Sequence, residues 1–198
     1  MTSTTLSTLR RHATAALITA AAIFAAVAVF DLIAHPADQG TLHTYREYVL
    51  TATILPAVAA VWWVLVALQG QHPRPDDRLG RVGLRIATIG LLALALDAIA
   101  TLASGTTDTT GPLYPIGILA TLLGIVLLAI QWHRANLTPR WIGPALAIGW
   151  FLGASPILGT GGAVLILAAA FLAIAYGLRR DAATHTSPPI SLEPSVTA

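Results

Sequence analysis

Arg78-Leu-Gly-Arg81-Val-Gly-Leu-Arg85-Ile-Ala-Thr-Ile-Gly-Leu-Leu-Ala-Leu-Ala-Leu-Asp97-Ala-Ile-Ala-Thr-Leu-Ala103 sets the fold class. A cluster of arginines opens it. From Ile86 to Ala103 the only charged residue is Asp97. An apolar run near 20 residues covers the roughly 30 Å of hydrocarbon in a bilayer as an α-helix. Arginine belongs at the headgroup boundary of such a helix, on its cytoplasmic side.

The same pattern recurs in both directions along the chain. Apolar stretches fall at residues 13–34, 48–68, 82–103, 113–132, 141–157 and 162–178. Arg10 and Arg11 precede the first. Arg74, Arg78, Arg81 and Arg85 surround the start of the third. Arg134 and Arg140 lie between the fourth and fifth, and Arg179 and Arg180 follow the last. Only Arg46, beside Glu47, falls on the other side of the alternation. The expected fold is therefore all-α: six transmembrane helices in three antiparallel hairpins, with both termini cytoplasmic. Residues 1–12 read as a cytoplasmic N-terminal tail, 13–178 as the transmembrane domain, and 179–198 as a disordered cytoplasmic tail rich in Ser and Pro. The last two spans are short, so a re-entrant hairpin is the alternative for them. The first run exceeds the h-region of a secretory signal and reads as a retained helix.

Composition agrees. Hydrophobic residues make up 56% and charged residues 10%, against roughly 25% charged in soluble domains. Mean hydropathy is +0.74. So much apolar surface in 198 residues requires lipid as solvent. The net charge of +2 and pI of 9.5 point to anionic lipid headgroups at the arginine-rich face, not to nucleic acid. The absence of cysteine excludes disulfides, thiolate metal sites and thiol nucleophiles. Gly159-Thr-Gly-Gly162 lacks the Lys-Ser/Thr and preceding strand of a phosphate loop and reads as a turn.

Small residues recur at four-residue spacing. Ala145, Gly149 and Gly153 mark the fifth span, and Ala169, Ala173 and Gly177 the sixth. Gly83 with Ala87 marks the third, and Gly117, Thr121 and Gly124 the fourth. In lipid such stripes let helices approach closely. Packing within the chain is the expectation; a homodimer face or contact with another membrane protein is the alternative. Trp132 and Trp141 are expected as interfacial anchors, Trp62 and Trp63 as belt and packing residues, and Pro56 as a kink in the second helix.

Two polar groupings stand out on the outer side. Asp97 lies roughly 10 Å inside the outer end of its helix at 1.5 Å per residue. An acid at that depth faces protein or water rather than lipid. Thr101 and Ser104 continue its face outward, and Arg46 is its expected charge partner, so Asp97, Arg46, Thr101 and Ser104 form a vestibule or ion pair. The second grouping is Asp31 with His35 and His43 with Glu47, each pair on one helical face at four-residue spacing. Brought together across a short loop, those four side chains form a candidate site for zinc or another divalent metal. No HExxH motif accompanies them, and no other cofactor is expected. His72 and His133 lie beside the inner arginines.

The segment Leu137-Thr-Pro-Arg-Trp-Ile-Gly-Pro144 before the fifth span and Gly80-Arg81-Val-Gly83 before the third resemble small six-span membrane proteins of GC-rich Gram-positive bacteria. The resemblance implies a bacterial plasma membrane and this topology, and it carries no activity. Without a catalytic motif, the expected role is a non-enzymatic membrane subunit, sensor or stability factor. The alternatives are a small ion- or proton-linked transporter or ligand-binding protein built on the Asp97 vestibule, and an outward-facing metal-dependent hydrolase.

Overall fold

The computed structural model describes residues 3–34, 42–71, 78–106, 110–135, 139–154 and 160–186. Its elements are six helices: α1 (Ser3–Ala34), α2 (Tyr45–Gln69), α3 (Arg78–Ser104), α4 (Leu113–Ala135), α5 (Ile142–Ala154) and α6 (Thr160–Thr186). Four are long and apolar enough to cross a membrane, through Thr8–Ile33 of α1 and the whole of α2, α3 and α4. At 13 residues, α5 spans only about 20 Å.

Helix α1 is described from Ser3 to Ala34 and α6 from Thr160 to Thr186. Both helices extend into the stretches that the sequence reading gave to the tails. Residues 3–12 and 179–186 are helical, because neither stretch holds a breaker and each added residue of an existing helix gains a bond. The hydroxyl of Thr14 donates to the Arg10 carbonyl at 2.9 Å, and the His12 ring donates to that of Thr8 at 2.8 Å. The helix thus runs through the arginine pair. Pro56 sits inside α2 on an exposed face, and the helix continues past it.

Each helix packs on its chain neighbours, and α6 returns to α1, so the six form a closed ring. The closest approach is α3 against α4. A Cβ added at Gly90 would lie 2.5 Å from the Thr121 backbone nitrogen, and one at Gly124 would meet the Ala87 backbone. The stripes on these two helices are thus an intramolecular seam. Gly149 does the same for α5, against Ala170 of α6. On α6, Ala169 and Ala173 are exposed, so their stripe is not the packing face. The buried face is Leu167, Ala168, Phe171, Ile174, Ala175 and Leu178. It meets the alanine-rich face of α1, with Phe24 and Phe171 at 5.7 Å between ring centroids and 52° between planes.

The contacts gather the arginine-bearing ends. Trp132, at the end of α4, donates its indole N–H to Gln69 Oε1, at the end of α2, at 3.1 Å. Trp132 is therefore buried within the bundle, 1% exposed. Trp141, at the start of α5, is exposed and abuts Gly177 near the end of α6. Large side chains such as Leu92, Leu96, Leu119, Ile148 and Leu172 cover the outer faces and are exposed, as lipid-facing positions are.

Candidate ligand cavity

At the arginine-poor end the ring leaves a partly open cavity of about 310 Å³. All six helices line it. Its wall is mainly apolar, from Phe24, Val61, Leu94, Ile118 and Leu167 among others, with Tyr114 and Trp150 beside them. Among the described residues the only charged one in its lining is Asp31.

Asp31 reaches the cavity because of its register. Ala13, Ala16, Ala20, Phe24 and Val27 recur at three- and four-residue spacing, and Asp31 is the next step of that stripe. The apolar part of the stripe packs into the core. Asp31 is carried inward with it and is 5% exposed. Among the described residues its Oδ1 is buried without a hydrogen-bond partner. An unsatisfied buried acceptor costs about 1–3 kcal/mol, and more when charged.

Two other polar groups of the wall are already engaged. The Trp150 indole N–H donates to the Ile118 carbonyl at 3.2 Å, which fixes the ring across the α4–α5 contact. The Thr53 hydroxyl donates to the Leu50 carbonyl at 2.5 Å. A mainly apolar, aromatic-walled space with a buried, unsatisfied carboxylate oxygen has the make-up of a small-molecule site.

The residues singled out from sequence are distributed differently. The Glu47 carboxylate accepts from the backbone N–H groups of His43 and Thr44, at 2.5 and 2.9 Å. Thr44 closes the capping box at the start of α2. Glu47 thus serves the helix terminus. Asp31 lies in the cavity wall, His43 is exposed, and His35 lies outside the described residues. Among the described residues no group of three or more His, Cys, Asp or Glu side chains could hold a metal.

Asp97 is half-buried and accepts a hydrogen bond from Thr110 Oγ1, in the connection to α4. Arg46 is exposed at the start of α2, so Thr110 stands where Arg46 was expected. Thr101 is buried on α3. The Ser104 hydroxyl donates to the Ala100 carbonyl at 2.8 Å. Beyond it Gly105, at φ 72°, turns the chain in the left-handed region open to glycine. None of Asp97, Arg46, Thr101 and Ser104 lines the cavity.

Sequence reasoning missed the cavity itself and gave Asp31 a different role. The stripe from Ala13 to Asp31 was a legible signal for the inward facing of this acid. Comparison with known protein families, curated proteins and solved structures gives no match.

Proposed function

We propose that this chain is a non-enzymatic membrane protein that binds a small, mainly apolar ligand in the cavity at its arginine-poor end, as a sensor or carrier subunit does. One observation carries the reading: six helices converge on an aromatic-walled space where, among the described residues, the one charged side chain is buried with an unsatisfied carboxylate oxygen. Buried polar groups in proteins are overwhelmingly hydrogen-bonded, so an orphan inside a cavity marks the place a ligand completes.

The topology belongs to the same proposal. The helices cross the plasma membrane six times, with both termini cytoplasmic and every arginine except Arg46 at the inner leaflet. The cavity then faces outward. Reporter fusions at Asp38, Asp108 and Gly159 give an outside signal, and fusions at Asp76 and Ala135 an inside one. An outside signal at Asp76 overturns this orientation.

Binding is tested with the purified full chain and 1-bromo-4-pentylbenzene, whose bromine quenches nearby indoles. The readout is the quenching lost on Trp150→Phe, which reports the cavity and subtracts the lipid-facing tryptophans. Saturable quenching is expected, weakened in both Ala57→Leu and Ala154→Leu, which fill the space from α2 and α5. Quenching that never saturates and is unchanged by Trp150→Phe overturns the reading.

A further inference from the structure

The chemistry of the cavity also selects the charge of its ligand. Among the described residues Asp31 is the only charged group of the wall, and no Arg, Lys or His side chain lines the cavity with it. Its Oδ1 lacks a donor among the described residues. The carboxyl torsion is soft, so either oxygen can turn to a donor entering the space. Among the described residues the rest of the wall offers no second acidic group to hold a metal ion, and divalent cations take several oxygen ligands.

A single carboxylate in apolar surroundings instead fits one monovalent head on an apolar body. Phe24, Tyr114 and Trp150 add aromatic surface around that head. Aromatic faces attract cations within about 6 Å. An anion would meet uncompensated repulsion from Asp31. A neutral hydrocarbon would leave the carboxylate oxygen unsatisfied.

We infer that the ligand is a lipophilic organic cation, an alkylammonium ion carrying an aromatic or aliphatic body, whose N–H groups are received by Asp31. This rests on the cavity-binding reading above. The same site would serve recognition or passage of amphiphilic amines arriving from the outer side.

The experiment uses three probes of one shape on the full chain in detergent: 4-(4-bromophenyl)butylammonium, the neutral 1-bromo-4-pentylbenzene, and 5-(4-bromophenyl)pentanoate. Each is read as Trp150-dependent quenching. The ammonium ion is expected to bind about tenfold or more tightly than the neutral probe, since hydrogen bonds to charged groups are the strong ones. Asp31→Asn removes that preference, so that the ammonium and neutral probes bind with similar affinity. Asp31→Ala, checked for folding by gel filtration and circular dichroism, repeats the result with the side chain truncated.

Equal binding of ammonium and neutral probes, unchanged in Asp31→Asn, overturns the cationic ligand and leaves the cavity reading standing. Tighter binding of the carboxylate probe overturns it as well. Absence of Trp150-dependent quenching by all three probes overturns both readings together.

Discussion

Asp31 is held inward by the helix it belongs to, and among the described residues its Oδ1 has no donor. The stripe of Ala13, Ala16, Ala20 and Phe24 packs against α6 and α2, and the acid follows the register. A buried acceptor without a donor lowers stability in the free protein. Asp31→Asn removes the charge and supplies two N–H donors. The expected outcome is a gain in thermal stability of the ligand-free protein, on the order of 1 kcal/mol, measured by unfolding in detergent. A stability loss in Asp31→Asn would show that the carboxylate is satisfied in the resting protein. Such a trade of stability against binding is common where a site must stay incomplete until occupied. Glu47 is the contrasting acid. It receives two backbone N–H groups, so Glu47→Ala is expected to cost about 1 kcal/mol by loss of the capping box. Glu47→Gln retains most of it. If zinc binding instead stabilised the wild type and not Glu47→Gln, the carboxylate would be a metal ligand rather than a cap. The sequence marked all these residues as unusual for a membrane helix. Which polar group each one meets depends on neighbours distant in sequence, and the four-residue spacing that paired Asp31 with His35 describes one helix face only.

At the scale of elements, the helices were legible because lipid makes their signal simple. Apolar runs bounded by arginine gave all six. The extensions of α1 to Ser3 and α6 to Thr186 were not, since polar residues such as Thr and Arg continue a helix without advertising it. Small-residue stripes located the α3–α4 seam, but on α6 they misdirected. There alanine is so frequent that several stripes of equal quality exist, and the large residues Leu167, Phe171 and Ile174 choose the face. The seam makes a sharp prediction. Gly90→Ala places a methyl 2.5 Å from backbone that cannot yield as a flexible side-chain end does. Overpacking of this kind costs about 1–3 kcal/mol. Gly70→Ala is the control: its added Cβ comes no closer than 3.4 Å to any atom, and φ there is −63°. It should leave the unfolding temperature within error. Equal behaviour of the two variants would mean that α3 and α4 are not in close contact.

The whole molecule is a ring whose closure makes the cavity. Sequence order predicts that neighbours pack, but the return of α6 to α1 is a long-range event that no local pattern announces. Without it α1 would present Phe24 and Asp31 to lipid, where an unpaired acid is costly. The Phe24–Phe171 contact lies in this closing seam, and Phe24 also lines the cavity. Helices in a bilayer gain little from hiding apolar surface from one another, because lipid is equally apolar, so the seam depends on fit. Phe171→Ala is thus expected to destabilise by less than the roughly 3–5 kcal/mol seen for such a change in water-soluble cores, since only the packing part is lost. Leu172→Ala, one residue on and 52% exposed, removes lipid-facing surface and should change stability little. The decisive measurement pairs unfolding in detergent with Trp150 quenching by the bromophenyl probes. A loosened ring predicts that Phe171→Ala weakens binding although Phe171 is not part of the cavity wall, whereas Leu172→Ala leaves it intact. Unchanged binding in a destabilised Phe171→Ala would show that the cavity forms without closure between α1 and α6, and that α1 is positioned by α2 alone.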